Sequence, residues 1–230
     1  MLHSLFDNLQ STIYNLQSAI YNLKWYYRRL VQRLFHHFYR EFAWSYDGVA
    51  WLVSGGLWRR WVLTALPHLH GPTLELGFGP GHLQLALADR AACVGLDASP
   101  QMAQQAARRL RCAGYTPRLV RGLAQALPFA DASFATVVAT FPTEYIAATA
   151  TQKEIRRVLR PNGRLVIIPS AELQPSVYRR LIDLAYLITL MRGTPSAMPN
   201  TITLGTLVLQ PTWVTVGPSR VLLLEAHFRL

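Results

Sequence analysis

The sequence predicts a doubly wound α/β fold built on a mostly parallel β-sheet. From Thr73 onward, short apolar runs alternate with longer helical segments, a pattern typical of strands joined by right-handed helical crossovers. A glycine-rich turn directly follows the first apolar run, where such folds bind nucleotides. Two last apolar runs, near residues 214–216 and 220–228, flank Gly217-Pro218 and predict a closing hairpin.

The remaining elements follow from the positions of the apolar runs and of the helix signals. Strands are predicted near residues 73–77, 92–97, 117–121, 135–140 and 164–169. Helices are predicted near residues 81–90, 100–113, 147–159 and 176–191. Ser99 precedes Pro100 and is the favoured cap of the second of these helices. Between Glu41 and His70 we expect two more helices, broken at residues 54–56, that cover the binding edge of the sheet.

The turn after the first predicted strand carries three alternate glycines, Gly77, Gly79 and Gly81. Glycines at this spacing let the chain turn sharply and let a ligand touch the backbone. Glu75 precedes the turn, and Asp97 ends the next apolar run. Two carboxylates that bracket a glycine turn suit a ligand with hydroxyl groups and a positive charge. Dinucleotide sites space their glycines as Gly-x-Gly-x-x-Gly, so the pattern disfavours a nicotinamide enzyme.

This stretch resembles motif I of the class I S-adenosylmethionine-dependent methyltransferases, Glu/Asp-x-Gly-x-Gly-x-Gly. Residues 94–102, 122–134 and 154–168 resemble later motifs of the same family, in the expected order. The resemblance covers about residues 71–170 and is nearest to the small-molecule, lipid or quinone methyltransferases. It implies a Rossmann-like, seven-stranded, mostly parallel sheet with an antiparallel last strand, and S-adenosyl-L-methionine as cofactor.

The resemblance also implies which residues bind the cofactor. Glu75 would orient the glycine loop and face the methionine end, and Asp97 would accept hydrogen bonds from both ribose hydroxyls. Phe141, at the exit of the fourth strand, would lie where cofactor and substrate meet. The full predicted set is Glu75, Gly77, Phe78, Gly79, Gly81, Asp97, Ala98, Met102, Ala124, Gln125 and Phe141. Asp97 as a helix cap and Gln125 as a solvated loop residue remain the structural alternatives.

The catalytic and acceptor residues are less marked in the sequence. Methyl transfer needs a general base only if the acceptor must lose a proton, and His68, His82, Glu144 and Tyr145 are the candidates. We select Glu144 as the catalytic candidate, because it lies where the family places substrate-facing residues. Tyr145 and Tyr46 are the candidates for substrate contact, since Tyr46-Asp47 resembles a pair that precedes motif I in the family.

The N-terminal segment differs from the rest of the chain. We predict a helical extension over residues 1–40 and the methyltransferase domain over residues 41–230. A tandem repeat over residues 8–21 places apolar side chains at heptad spacing, which indicates a helix but also fits a recent duplication. Residues 24–40 mix aromatic side chains with arginines, a pattern that suits either a membrane interface or packing on the domain.

Charge and composition narrow the class of protein. The 230-residue chain has a net charge of +11 and is 51% hydrophobic. Residues 71–149 hold six Lys or Arg and five Asp or Glu, so the basic excess lies before and after this segment. Such basic segments would attract phosphates on anionic lipid or nucleic acid. His36-His37 has no partner at metal-ligand spacing, so no metal is predicted. The two cysteines and the lack of a signal-peptide pattern predict a cytoplasmic protein.

Together these features predict methyl transfer in the cytoplasm to a small-molecule or lipid-like acceptor. Whether the protein also contacts an anionic membrane surface is left open. An RNA methyltransferase and a non-catalytic binding module are the alternatives. Nucleic acid is the less favoured partner, since residues 140–143 lack the Asn/Asp-Pro-Pro-Tyr/Phe loop of amino methyltransferases. Residues 194–213 depart from the family pattern, so the acceptor is left unnamed, as is the oligomeric state.

Overall fold

The computed structural model describes Tyr26 and residues 46–90, 92–174 and 201–228. From residue 46 onward the described residues belong to one compact unit. Four predicted features lie outside the described residues: the heptad seam, His36-His37, the helix near 176–191 and the boundary between residues 40 and 41. The same is true of residues 24–40 apart from Tyr26, which is helical and exposed.

A single sheet of eight strands forms the centre of the described unit. The strands are β1 (Thr73–Leu76), β2 (Cys93–Asp97), β3 (Leu119–Arg121), β4 (Phe134–Thr140), β5 (Leu159–Leu173), β6 (Ile202–Leu204), β7 (Leu207–Val216) and β8 (Ser219–His227). Their order is β3-β2-β1-β4-β5-β8-β7-β6, with β1 to β5 parallel and β6 to β8 joined antiparallel. The prediction of a mostly parallel sheet that ends in an antiparallel hairpin is therefore confirmed.

Five α-helices and two 3₁₀ helices surround the sheet within the described residues. The α-helices are α1 (Tyr46–Ser54), α2 (Trp58–Leu63), α3 (His82–Ala86), α4 (Pro100–Cys112) and α5 (Thr149–Val158), and the 3₁₀ helices are Leu66–His68 and Glu144–Ala147. The cap of α4 is Ser99, as expected, and its side chain accepts a hydrogen bond from the Met102 N–H. Within the described ranges, no helix is long and apolar enough to cross a membrane.

The core covers both faces of the sheet. Val137 and Val138 are adjacent on β4 and both fully buried, but they belong to different apolar clusters because successive strand residues point to opposite faces. Leu74 and Leu165 join the cluster of Val137, whereas Trp61 of α2 joins that of Val138. Apolar runs of this kind are what a parallel strand buried on both faces requires.

One part of the sheet was not expected. β6 and the first seven residues of β7 fall in the segment over residues 194–213 for which the sequence predicted no element, so the sheet has eight strands rather than seven. The turn between them docks on α5, where the buried Gln152 amide oxygen accepts from the Thr206 N–H at 3.0 Å and from its hydroxyl at 3.1 Å. A tertiary contact therefore holds this hairpin.

Candidate functional site

The carboxyl ends of β1, β2 and β4 bring the predicted site residues to one edge of the sheet. Gly77 follows β1, Asp97 ends β2 and Phe141 follows β4. The strand order reverses between β1 and β4, since β1 continues to β2 and β3 on one side and β4 starts the other side. In open α/β sheets a ligand binds outside the carboxyl ends of the strands at such a reversal.

The three glycines of the turn have different roles. All three have positive φ angles, of 71°, 53° and 83° for Gly77, Gly79 and Gly81. A Cβ at Gly77 would lie 2.6 Å from the Tyr145 hydroxyl, and one at Gly81 would lie 2.7 Å from the Cβ of Ala106. A Cβ at Gly79 would meet no described atom within 4 Å. Packing therefore requires two of the glycines, while Gly79 leaves space for a ligand to approach the backbone.

Asp97 is oriented by backbone groups on both sides. One carboxylate oxygen accepts from the Gly79 N–H at 2.9 Å, and the other accepts from the Ser99 N–H at 2.8 Å. A carboxylate has about four lone-pair sites, so each oxygen can accept a further hydrogen bond from a ligand hydroxyl. Because Ser99 caps α4, the alternative in which Asp97 is the cap of that helix is not realised.

Glu75 is buried below the turn, with 1% of its surface exposed. The Gln84 amide donates a hydrogen bond of 2.8 Å to its carboxyl group. Burial raises the pKa of Glu75 to about 8, the Gln84 hydrogen bond opposes this rise, and the charge of Asp97 adds to it. The carboxyl group is therefore largely protonated at neutral pH, and a cation bound nearby would favour its ionised form.

Tyr145 lies against the glycine turn. Its hydroxyl donates a hydrogen bond of 2.9 Å to the Leu76 carbonyl, and burial together with the charges of Asp97 and Glu75 raises its pKa. Glu144, the preceding residue, is exposed at the start of the 3₁₀ helix. Tyr46 begins α1, but the position of its side chain lies outside what the structure describes.

The loop after β3 holds the residues predicted to flank the adenine. Ala124 is buried and Gln125 is exposed. The Gly122 N–H donates to the Asp97 carbonyl at 3.1 Å, which ties the start of this loop to the end of β2. Of the other predicted residues, Ala98 is exposed, Met102 is half-buried and Phe78 is buried against Gly95, so that the ring of Phe78 packs inside the fold.

An ion pair that was not predicted from the sequence holds the other end of this loop. The Arg157 guanidinium donates to the carbonyls of Phe129 at 2.7 Å and Leu127 at 2.9 Å, and it pairs with Glu154 at 2.7 Å. Glu154 in turn accepts from the Leu127 N–H at 2.7 Å. The only signal in the sequence was the Glu-x-x-Arg spacing on α5, inside a motif to which no role was assigned.

Three aromatic rings meet at the exit of β4. Phe141 has a left-handed φ of 48°, unusual for a residue with a side chain, and its N–H donates to the Ile168 carbonyl at 2.6 Å. Its ring stacks on Trp58 with the centroids 4.3 Å apart. Trp61 lies 6.3 Å from both rings and donates to the Ser219 hydroxyl at 2.7 Å. The two tryptophans were not predicted as site residues, because apolar helix residues usually form the core.

These features fit a nucleoside ligand with a cationic end. Asp97 offers acceptors for hydroxyl groups, Gly79 leaves the backbone accessible, and the Leu76 carbonyl adds an acceptor at the end of β1, where a bound cation would also favour the ionised form of Glu75. The His68 Nδ1 lies 3.1 Å from the carboxylate of Glu225, which is paired with Val166 in the β5–β8 ladder, and no described contact joins His68 to the glycine turn.

Comparison with known proteins agrees with this geometry. Residues 74–167 match the family model of a methyltransferase domain. A demethylmenaquinone methyltransferase from Thermus thermophilus is 36% identical over 138 residues, which are 56% of this chain and 63% of that protein. A ubiquinone/menaquinone biosynthesis C-methyltransferase from Geotalea uraniireducens is 28% identical over 153 residues, which are 62% of this chain and 65% of that protein.

A solved structure supports the fold assignment. A geranyl diphosphate methyltransferase in complex with SAM superposes with a TM-score of 0.50 at 19% identity, over 81% of this chain and 91% of that one. The sequence matches cover less than two thirds of the length of the two quinone-pathway relatives. The segment that carries this site, residues 74–167, is therefore similar to the methyltransferase domain, and over this segment the chain resembles the class I S-adenosylmethionine-dependent methyltransferases.

Proposed function

We propose that this protein transfers a methyl group from S-adenosylmethionine to a small, lipid-like acceptor of the quinone class. The observation that carries the proposal is the edge formed by Asp97, Gly79 and Glu75, which fits the cofactor in the domain that the family model matches. The quinone class is supported by the two relatives named for ubiquinone and menaquinone biosynthesis.

In this proposal the chain positions the cofactor through few groups. When bound, S-adenosylmethionine supplies a methyl group on a sulfonium, which is already a good leaving group. Asp97 accepts from the ribose hydroxyls, and Ala124 and Gln125 flank the adenine in the loop that Gly122 ties to β2. Because the leaving group needs no activation, positioning and the exclusion of water carry much of the catalysis.

The acceptor side is proposed to lie at the exit of β4. The stacked rings of Phe141 and Trp58 offer an apolar, planar surface that suits an aromatic or quinol ring. Glu144 belongs to the same segment, and its exposed carboxylate is our candidate base for the proton that the acceptor loses. Tyr46 remains a candidate for substrate contact.

Contact with an anionic membrane is the second component of the proposal, because a lipid-like acceptor is delivered from a bilayer. Its support is the aromatic and basic sequence of residues 24–40. Flotation with vesicles that contain anionic lipid tests it directly. Association at low salt that is lost at high salt is expected, and no association at low salt would contradict it.

The decisive experiment combines binding with turnover. Calorimetric titration with S-adenosylhomocysteine comes first, and binding in the micromolar range is expected. Methyl transfer is then assayed on a short-chain demethylated naphthoquinol and on an RNA transcript, with Glu144→Gln compared with Glu172→Gln. Glu172 is a matched control, because it is exposed and pairs with Arg220 on the β5–β8 ladder.

Each outcome separates the alternatives. Turnover of the quinol that falls in Glu144→Gln and not in Glu172→Gln supports both the acceptor class and the base. Turnover on RNA alone would replace the quinone proposal with the nucleic-acid one. Binding of the cofactor product with no turnover on any acceptor would favour a non-catalytic methyltransferase fold.

A further inference from the structure

The α1–α2 corner, residues 51–60, exposes two large apolar side chains that are neighbours in the chain. Trp51 is 63% exposed and Leu52 is 58% exposed. The face of α1 that packs on the protein is marked by Ala50 and Ser54, which are one helical turn apart and both buried, so Trp51 and Leu52 lie outside that face. Single exposed apolar residues are ordinary, whereas adjoining ones form a patch that indicates an interaction surface.

The corner is ordered by its own hydrogen bonds. The Trp51 carbonyl accepts from the Gly56 N–H at 2.8 Å and from the Ser54 hydroxyl at 3.3 Å. The Ser54 hydroxyl also accepts from the Trp58 N–H at 3.0 Å. A Cβ at Gly56 would lie 3.1 Å from the Trp51 indole nitrogen, so the indole rests against the turn while most of its surface stays exposed. The fold therefore holds this apolar side chain at the surface.

The corner adjoins the surface proposed to hold the acceptor. Trp58, within the corner, is the first residue of α2 and stacks on Phe141 at the exit of β4. Trp61, one turn later on α2, donates to Ser219, which pairs with Leu173 at the carboxyl end of β5. The carboxyl ends of β4 and β5 lie at the same edge of the sheet, so α2 and the corner that leads into it belong to the edge that carries the candidate site.

The charges of the corner select the partner. Arg59 and Arg60 are exposed on the first turn of α2. Residues 48–74 contain no Asp or Glu, and within the described part of the chain no carboxylate pairs with either guanidinium. An anionic bilayer complements both features, because Trp and Leu enter the boundary of the acyl chains while arginines bind the lipid phosphates.

We propose that the α1–α2 corner docks on an anionic bilayer, so that a lipid-like acceptor passes from the membrane to the stacked rings of Trp58 and Phe141. This proposal rests on the lipid-like acceptor of the proposed function and places the membrane contact on the described unit, independently of residues 24–40. The apolar pair inserts, and the arginines attract the anionic surface. Because Ser54 bonds to residues on both sides of the corner, the docking contact and the acceptor surface belong to one ordered segment.

Flotation of the full chain with vesicles of phosphatidylcholine and phosphatidylglycerol in equal parts tests the insertion. Trp51→Ser combined with Leu52→Ser should weaken partition by at least about tenfold, the effect of losing the burial of one such side chain. Val208→Ser is the matched control, since Val208 is 61% exposed near the start of β7, at the opposite edge of the sheet, and its loss should change nothing. Equal partition of the double variant and the wild-type protein would overturn the proposal.

The charge of the surface is tested separately. Arg59→Gln and Arg60→Gln should each weaken partition on the mixed vesicles by about fivefold, the contribution of one basic residue near an anionic leaflet. Neither substitution should matter on vesicles of phosphatidylcholine alone. An equal loss on both lipids would overturn the assignment of an anionic surface.

A spin label at position 52 reports what covers the corner. Leu52→Cys is labelled in a Cys112→Ser background, since Cys112 is exposed and Cys93 is buried. Vesicles should raise the collision rate of the label with oxygen and lower that with a water-soluble nickel chelate, while a label at Val208→Cys should not respond. A label at position 52 that is shielded from both reagents without vesicles would overturn the proposal, because the chain or a second copy would then occupy the corner.

Turnover separates this proposal from the proposed function. Methyl transfer to a short-chain quinol in solution should be the same for the wild-type protein and for the double variant at residues 51 and 52. Transfer to a long-chain quinol in vesicles should fall with the loss of partition, and equal rates would overturn the delivery of the acceptor through the corner. Docking of the wild-type protein without methyl transfer to either quinol would mean that the proposed function fails while the docking surface stands.

Discussion

The Asp97 carboxylate accepts a hydrogen bond of 2.9 Å from the backbone N–H of Gly79. This contact joins the end of β2 to the middle of the turn after β1. The group proposed to bind the ribose therefore also holds the loop over which the cofactor is proposed to bind. In this proposal, loss of the carboxylate removes a direct contact and releases the loop at the same time.

Asp97→Ala is expected to weaken binding of S-adenosylhomocysteine by about 1–3 kcal/mol, the scale of hydrogen bonds to a charged group. Calorimetry of the folded variant measures this change. Asp89→Ala is the matched control, because Asp89 is an exposed carboxylate next to Tyr115, outside the site. An affinity equal to that of the wild-type protein would remove Asp97 from the proposed cofactor site.

The glycines of the turn should separate folding from binding. Gly79→Ala and Gly81→Ala both place a side chain at positive φ, which costs about 1–2 kcal/mol in each case. Only Gly81→Ala also brings its Cβ within 2.7 Å of Ala106, and such overpacking costs about 1–3 kcal/mol more. Urea unfolding should therefore show Gly81→Ala as the less stable variant.

For ligand binding, we expect Gly79→Ala to be the more damaging of the two substitutions. A Cβ at Gly79 points into space that no described atom fills, where the cofactor is proposed to approach the backbone. Gly79→Ala should thus stay folded and lose most of its affinity for S-adenosylhomocysteine. Wild-type affinity in Gly79→Ala would show that the ligand does not pass over this residue.

The fold, and the position of the edge proposed to bind the cofactor, could be predicted because their signals are local. Alternating apolar runs specify β1 to β5, and Glu75, Gly77 and Asp97 each lie at a strand end that the sequence itself marks. Strand ends of a parallel sheet meet at one edge, so the sequence also indicated which of these residues come together.

The features of the fold and of the candidate site that were not predicted depend on contacts between segments that are distant in sequence. Tyr145 meets Leu76 across 69 residues, and Trp61 meets Ser219 across 158 residues, and no periodicity in the sequence reports either pair. β6 is fixed by Gln152 of α5, which reads as an ordinary helix residue. The proposed acceptor side was hard to predict because it is assembled from such contacts.

The buried Glu75 predicts a pH dependence of stability. Its pKa is about 8 in the folded protein against an ordinary value of 4.5, so between these pH values the folded chain holds a proton that the unfolded chain has lost. Stability should therefore fall as pH rises from about 5 to 8, with a contribution of about 3–5 kcal/mol from this group. Glu75→Gln should flatten this slope, and urea unfolding at several pH values measures it.

Other titrating groups also contribute to the pH dependence of stability, so a control variant is needed. Glu172→Gln removes an exposed carboxyl group on β5 and should leave the slope of the wild-type protein unchanged. A slope that persists in Glu75→Gln would mean that Glu75 is ionised in the folded protein, with a cation or further donors around it.

Substitution of Arg157, which holds the loop after β3, should lower both the stability of the protein and its affinity for ligands that contain adenine. Arg157→Gln leaves the carbonyls of Leu127 and Phe129 and the Glu154 carboxylate without their shared donor, which should lower the free energy of unfolding by about 1–3 kcal/mol. Because the loosened loop is the one proposed to flank the adenine, S-adenosylhomocysteine and 5′-methylthioadenosine, which lacks the amino-acid end of the cofactor, should lose affinity by the same factor. Arg160→Gln, which removes one 3.3 Å contact to the Ala132 carbonyl, should change little. A loss confined to S-adenosylhomocysteine would instead connect Arg157 to the amino-acid end of the ligand, where no described contact places it.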